Sequence, residues 1–301
     1  MRLDDVQLFV QTAEAGSFSR VARQLNITPA FVSGAILRLE KHLGSRLFIR
    51  NTRNLRLSDE GIRYLPYARC VVDQMLLGEQ ALNEGKNTLT GTLRLSAPSD
   101  FGRNLLLPWL DEFQLQHPRL SLNLRISDRA VDLISDPVDA AIRYGRPGDS
   151  SLVAWPLTNG LRRALCASPE YIARHGRPEH PDDLVHHNCL YYVWSEQIFQ
   201  RWHFSLPDEE CVININGNRF SDDADVVRRW ACAGQGLVYK SRLDLLPDIL
   251  AGRLVELFPE SWCEPSPLHL VAAHRSQATP TLEHLRIWLQ QRCAQLLKRS
   301  E

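Results

Sequence analysis

The stretch Leu25–Arg50, LNITPAFVSGAILRLEKHLGSRLFIR, decides how the rest of the chain is read. Thr28 has the side chain of an N-cap, and Pro29 follows at the first helical position, where an N–H has no intrahelical acceptor to lose. Val32, Ile36, Leu39 and Leu43 then recur at helical spacing as one apolar stripe, and Gly44 supplies the residue type that ends helices. Opposite the stripe lie Ala30, Gly34, Arg38 and Lys41, small toward one end and basic toward the other. Taken alone, that face fits an ordinary solvated helix.

The flanking residues change its meaning. Leu3, Val6, Val10 and Ala13 make an earlier apolar stripe, Gly16 interrupts it, and Phe18, Val21, Ala22 and Leu25 make a second. Three short helices are expected, the last two separated only by Asn26-Ile27-Thr28, the spacing of a helix-turn-helix whose later helix enters a major groove. After Gly44 the period changes, and Leu47-Phe48-Ile49 lead into Arg50-Asn51-Thr52-Arg53-Asn54-Leu55-Arg56-Leu57, a hairpin-like wing. Arg50, Arg53 and Arg56, with Asn and Thr donors between them, suit phosphate and minor-groove contacts.

Charge points the same way. Residues 1–57 carry nine Lys/Arg against four Asp/Glu, a net of +5, while the remaining 26 basic and 31 acidic residues leave −5. The net charge of zero over 301 residues thus hides a basic head on an acidic body, as expected when one domain alone meets a polyanion.

Residues 1–90 resemble the winged helix-turn-helix and linker helix of LysR-type transcriptional regulators, and the resemblance continues to the C-terminus. It rests on Phe9-Val10, Gly16-Ser17-Phe18, Ala22, Leu25, Thr28-Pro29-Ala30, Val32-Ser33, Ile36, Leu39-Glu40, Leu43-Gly44 and Arg46-Leu47-Phe48. The resemblance implies contacts to promoter DNA from Ser17, Thr28, Pro29, Ala30, Phe31, Ser33, Gly34, Arg38, Arg50, Thr52, Arg53 and Arg56. One departure stands out: the family usually carries a basic residue after the recognition-helix serine, and here Gly34 follows Ser33. Glycine in a helix costs about 1 kcal/mol relative to alanine, so Gly34 reflects either close approach to DNA or plain tolerance.

Ser58 is placed to cap a long helix running to about Gly85, with Ile62, Leu65, Ala68, Val72, Met75 and Leu82 as its seam and Pro66 as a local kink. Such a seam needs a partner helix from another subunit. From Leu93 the chain alternates strands and helices: Thr92–Ala97, Phe101–Gln116, Leu120–Ile126, a short helix Val131–Ser135, then Ala140–Tyr144, Leu161–Ala167, Cys211–Asn216, Asp223–Ala233 and Leu237–Lys240.

The fold class expected is thus α/β with a mostly α N-terminal winged helix-turn-helix. The resemblance implies a two-lobed effector domain like periplasmic binding proteins, with residues 1–58 as DNA-binding domain, 59–90 as linker helix and hinge, and 91–301 as effector domain. Lobe 1 would take about 91–161 and 267–301, lobe 2 about 162–266.

Ligands in open α/β sheets collect at the carboxyl ends of strands, where helix N-terminal amides favour anions. Ser96-Ala97-Pro98-Ser99, Ser127-Asp128-Arg129 and Asn218-Arg219-Phe220-Ser221 lie at such ends, although each serine is by itself more often a turn or cap hydroxyl. The expected effector residues are Ser96, Ser99, Asp100, Phe101, Ser127, Asp128, Asn218, Phe220 and Lys240. By resemblance, Ser99 and its following amides take an effector carboxylate, with Phe101 and Phe220 as apolar walls. Lys240 and Arg242 fit an anion's partners and surface charges equally well.

No G-x-S-x-G elbow, phosphate loop or metal-ligand cluster occurs, and Gly234-x-Gly236 is too short to mean a nucleotide site. Asp128, Asp132 and Asp136 at four-residue spacing fit a solvated acidic face. His186-His187-Asn188-Cys189 would hold its histidines on opposite sides of a strand, without partners at ligand spacing. The seven cysteines are scattered singly, which fits a reducing compartment and core positions better than a redox switch. No signal peptide or membrane-length apolar run is present, so the cytoplasm is expected.

These readings converge on a sequence-specific, non-enzymatic regulator that binds double-stranded promoter DNA and a small anionic effector, needs no cofactor, and self-associates as a dimer and tetramer, meeting RNA polymerase when it activates. The alternatives are a cytoplasmic α/β enzyme with a nucleic-acid-binding appendage, or a cysteine-based redox sensor.

Overall fold

A computed structural model describes residues 1–51, 54–81, 89–129, 133, 138–145, 152–194, 197–198, 200–207, 209–273 and 279–299. The chain divides into two compact units, one formed mainly by residues 1–87 and one by the chain from residue 88 onward.

The first unit holds α1 (Leu3–Ala15), α2 (Phe18–Leu25), α3 (Pro29–Leu43), the antiparallel hairpin β1 (Phe48–Asn51) and β2 (Asn54–Leu57), and α4 (Asp59–Ala81). The turn between α2 and α3 depends on Asn26, at φ 58°, from which Ile27 N–H reaches back to Ala22 O at 2.9 Å. Asparagine tolerates this left-handed conformation. Thr28 Oγ1 accepts the Phe31 N–H at 3.2 Å, so the cap read from the sequence starts α3 where expected. Val32, Ile36 and Leu39 are buried, and Leu43 packs partly buried against their core. Glu40 Oε1 accepts the N–H groups of Leu47 and Phe48, which fastens the wing to the end of α3.

Two expectations for this unit need correcting. Arg38 is not a free phosphate ligand: its Nη2 donates to Asp5 Oδ1 at 2.6 Å, and Asp5 on α1 is only 3 % exposed. A buried carboxylate demands a cation, so Arg38 braces α3 against α1. The α4 seam also divides. Leu65 and Ala68 are buried in the unit's own core with Val72 beside them, whereas Ile62 and Met75 are exposed; Leu82 lies outside the described residues. Helix α4 runs through Pro66 without interruption.

The second unit contains two sheets. The first has the order β4-β3-β5-β15-β6, from β3 (Gly91–Ala97), β4 (Leu120–Ile126), β5 (Ala140–Tyr144), β6 (Val153–Pro156) and β15 (Leu268–Ala272). Strands β3, β4 and β5 are parallel, and β15 runs antiparallel between β5 and β6. Between β3 and β4 the chain forms α5 (Ser99–Phe101), a π-helical turn (Gly102–Leu106) and α6 (Leu107–Gln116). The expected helix Val131–Ser135 lies, save for residue 133, outside the described residues.

The second sheet follows the order β12-β8-β13-β7-β14, with β9 (Gln197–Ile198) paired to β8, and comprises β7 (Arg163–Ala167), β8 (Cys189–Trp194), β12 (Phe220–Ser221), β13 (Leu237–Ser241) and β14 (Val255–Glu256). Around it lie α7 (Pro169–His175), the hairpin β10 (Arg201–Ser205) and β11 (Glu210–Asn214), α8 (Ala224–Cys232) and α9 (Arg242–Leu250). The C-terminal α10 (Pro280–Lys298) buries Leu282, Leu285 and Leu289 in the core of the first sheet.

The chain passes between the sheets twice, after β6 and before β15, and the two passages pair. Arg163 N–H donates to Glu264 O at 2.8 Å, Ser266 N–H to Leu161 O at 2.7 Å, and Arg162 bridges antiparallel to Pro265. His186 closes a 3₁₀ turn (Pro181–His186) and His187 follows it as a cap, so these histidines do not sit in a strand as expected. Among the described residues no three His, Cys, Asp or Glu side chains are placed to hold a metal ion.

Candidate functional site: a DNA-reading helix and an anion cavity

In the first unit, the exposed surface of α3 begins at its capped end. Ala30 and Phe31 face solvent, Phe31 with 54 % of its surface exposed, while Ser33 and Gly34 are partly covered. Ser17 acts as the N-cap of α2, its Oγ accepting from Arg20 N–H. Arg20, Lys41, Arg46 and Arg56 are exposed and have no carboxylate partner among the described residues, the arrangement a polyanion needs. Thr52 and Arg53 lie outside the described residues, as does the side chain of Arg50.

Gly34 has room for a side chain: an added Cβ would meet only Arg38 Nη1, at 3.7 Å. Gly34→Ala is therefore expected to stabilise this unit by roughly 0.5–1 kcal/mol through helix propensity. Chemical denaturation of the two proteins checks it, and a loss of stability would contradict the open space seen here.

In the second unit a cavity of about 280 Å³ lies where strands of both sheets end. Pro98 follows β3, Ser127 and Asp128 follow β4, Arg143 and Tyr144 end β5, Tyr192 lies on β8, Ala224 starts α8, and Lys240 and Ser241 end β13. A second space of about 150 Å³ adjoins it across Arg163, Tyr192 and Lys240 and is walled by Tyr191, Trp202 and Tyr239.

Arg143 is the most telling lining residue. Its guanidinium donates to Ser96 Oγ and to Ile142 O, both neutral, and no carboxylate pairs with it among the described residues. Burial lowers its pKa, with the negative charge of Asp128 opposing. A partly buried cation with only neutral partners is a site for an anion.

Beneath the cavity runs a chain of buried ion pairs. Lys240, 8 % exposed, contacts Asp100 and Asp244, so it is neither a solvated surface charge nor a free ligand cation. Burial works against its charge, and the two carboxylates overcome that and raise its pKa. Burial also pushes Asp244 up to about 6, the nearby Lys240 ammonium opposing, and Tyr144 O–H donates to its carboxylate. Arg228 joins Asp100, Asp225 and Asp248, three carboxylates buried beside one guanidinium. Arg242 is committed elsewhere, to Glu256.

The other expected effector residues scatter. Ser127 and Asp128 line the cavity, and Ser96 stands behind Arg143 as its acceptor. Ser99 is buried beside the cavity-lining Asp128, its N–H and O–H both donating to that carboxylate while its Oγ accepts from Ala224 N–H. Asp100 belongs to the buried ion network. Phe101 is not an apolar wall of the cavity: it is fully buried in the core against Trp109 and Tyr144. Phe220 stacks on Tyr191 at the surface, 55 % exposed, and Asn218 bonds with Asn188; neither lines the cavity. Arg143, Tyr144, Ser241 and Asp244 were not foreseen. The signal for Arg143 was present, a lone cation in the apolar strand Ala140-Ala141-Ile142-Arg143-Tyr144.

Four of the seven cysteines offer little to oxidants. Burial pushes Cys189 and Cys293 up to about 12 and Cys232 and Cys263 up to about 11, so these four are thiols, not thiolates, at neutral pH.

A winged helix-turn-helix followed by a two-sheet α/β unit with a cavity at the strand ends defines a ligand-responsive DNA-binding regulator. Residues 3–62 match the family described as bacterial regulatory helix-turn-helix protein, lysR family, and residues 86–294 match the LysR substrate binding domain. The transcriptional regulator DmlR of Escherichia coli K12 is 33% identical over 258 residues, 86% of this chain and 84% of that protein. The transcriptional activator TtdR of the same strain is 30% identical over 256 residues, 85% of this chain and 82% of its own length. Among solved structures, CrgA of Neisseria meningitidis, a LysR-type regulator, aligns over 98% of this chain and 99% of its own with TM-score 0.60 and 29% identity. The Vibrio cholerae virulence activator AphB aligns over 96% of this chain and 98% of its own with TM-score 0.55 and 26% identity. The chain belongs to the LysR family of transcriptional regulators, with a helix-turn-helix that binds DNA and a C-terminal domain that binds a small-molecule effector. No helix among the described residues is long and apolar enough to cross a membrane.

Proposed function

We propose that this regulator responds to a small anionic metabolite bound in the 280 Å³ cavity, with Arg143 as its charge partner. The observation that carries the reading is the Arg143 guanidinium, partly buried on the cavity wall, whose hydrogen-bond partners among the described residues are neutral. The exposed start of α3, led by Phe31, meets base edges, where an aromatic ring suits thymine methyl groups, and the unpaired cations around it meet phosphates. A second copy of the chain is its own partner: Tyr67, Val71 and Met75 recur every four residues on α4 and are all exposed, a stripe that helix pairing would cover. Beyond DNA, effector and a second copy, the regulator works without a cofactor, in the cytoplasm.

The test is a thermal-shift panel on the full chain, with carboxylates, phosphates, neutral sugars and amines at matched ionic strength. Stabilisation by anions is the expected result. A panel in which only neutral or cationic compounds stabilise the protein overturns the reading. Binding to its upstream intergenic DNA across a salt series tests the other half, since phosphate contacts require affinity to fall as salt rises.

A further inference from the structure

The end of the cavity nearest β3 is built to hold a carboxylate, and one is already seated there. Ser99 N–H donates to Asp128 Oδ1 at 2.7 Å, Ser99 O–H donates to Asp128 Oδ2, and Ala224 N–H donates to the same Oδ2 at 2.9 Å. These donors come from two places, the start of α5 and the start of α8, and Ser99 is buried. Three convergent donors on the cavity wall are the form of an anion-binding slot, and here the occupant belongs to the chain itself.

We propose that the effector carries a carboxylate that takes the place of Asp128 in this slot, so that Asp128 is a tethered internal competitor controlling which carboxylates bind and how tightly. The proposal rests on the reading of this cavity as the effector site. Three observations support it. Asp128 lies just beyond the last ladder bond of β4, where rotation of its side chain empties the slot without disturbing the sheet. Asp128 is only partly buried, so once displaced its carboxylate can swing toward solvent and away from the anion that takes its donors. The Ser241 hydroxyl, buried on the wall of the same cavity beside Tyr144, offers a second anchor to whatever binds.

The energetics follow from competition. A ligand that binds only when the slot is open has its apparent Kd multiplied by the inverse of the open fraction. Removing the internal carboxylate removes that factor and leaves a space into which acetate fits.

The experiment uses the full chain as wild type, Asp128→Ala, and Asp128→Ala combined with Ser99→Ala. Each is titrated with sodium acetate, with sodium chloride at matched ionic strength as control, and read by thermal midpoint. The expected result is that acetate binds Asp128→Ala at least tenfold more tightly than wild type, that chloride does not reproduce the shift, and that the double variant loses it. Acetate binding Asp128→Ala no more tightly than wild type, or an equal shift with chloride, overturns the proposal. Should Asp128→Ala fail to fold, Asp128→Asn keeps an acceptor oxygen without the charge, and the same ordering against wild type is required of it. If wild type responds to no anion in the metabolite panel while acetate still binds Asp128→Ala, the slot stands and the effector reading falls. If a panel anion binds wild type and Asp128→Ala equally well, the effector reading stands and displacement of Asp128 falls.

Discussion

Replacing Arg228 by Met is expected to cost the effector unit roughly 3 kcal/mol, lowering its thermal midpoint by roughly 6–12 °C. Arg228 is a hub: its Nε donates to Asp100, its Nη2 to Asp225 and its Nη1 to Asp248, and all three carboxylates are buried. Burial opposes the charge of Arg228, and the three carboxylates more than restore it, so its pKa is raised. Removing the guanidinium leaves each carboxylate with less compensation, and the penalty of a buried uncompensated charge exceeds what the pair contributes. The loss belongs at the low end of the range for broken buried pairs because each acid keeps another cation. Asp100 keeps Lys240, Asp225 keeps Arg229, and Asp248 keeps Arg253. Combining Arg228→Met with Asp248→Asn should recover part of the loss, which a double-mutant cycle measures. A single-variant loss below about 1 kcal/mol would show that the network is solvated in solution.

The opposite pairing of effects is expected at Arg143. Arg143→Gln should weaken the anion that most stabilises wild type by roughly 10- to 100-fold, the worth of a charge-assisted hydrogen bond of about 1.5–3 kcal/mol. The folded protein should lose little, because the guanidinium is held by Ser96 Oγ and Ile142 O and forms no ion pair with a carboxylate among the described residues. A partly buried cation whose hydrogen-bond partners among the described residues are neutral, with Asp128 acting only through its charge, is kept for binding at the expense of stability. Calorimetric titration of both proteins, alongside their unfolding midpoints, separates the two effects. Affinity retained within threefold would exclude Arg143 as the charge partner.

The N-terminal unit was legible because its signals are local. Thr28 and Pro29 start α3, Gly44 stops it, and the turn at Asn26 follows from one residue's tolerance of positive φ. The wing was legible from the change of period after Gly44. Arg38 misled for the same reason: helical phase places it on an outward face, and nothing in its own segment reveals that a buried Asp5, 33 residues away, has claimed it. The division of the α4 seam was hidden too, since periodicity marks an apolar stripe but not which part of it the unit's own core covers.

In the second unit the strands Leu120–Ile126 and Ala140–Tyr144 were legible in full, from alternation and from an apolar run between turns. The site was not. Lys240 has two acidic partners, one 140 residues back in the chain and one a turn away in α9, and Phe101 becomes core because Trp109 and Tyr144 close over it. Side chains at the carboxyl end of a strand share a location, and only the packing of both sheets decides which of them face the cavity.

The two passages between the sheets carry a mechanical consequence. Residues 161–163 and 264–266 are joined by backbone hydrogen bonds into a narrow ribbon rather than running as two separate strings. Two independent strings allow their attached bodies to twist, slide and tilt at random. A paired ribbon resists the sliding of one passage past the other, so hinge bending about it is the relative motion expected of the two lobes. Substitutions that unpair the ribbon are then expected to weaken the coupling between the cavity's occupant and the angle between the lobes while leaving both lobes folded.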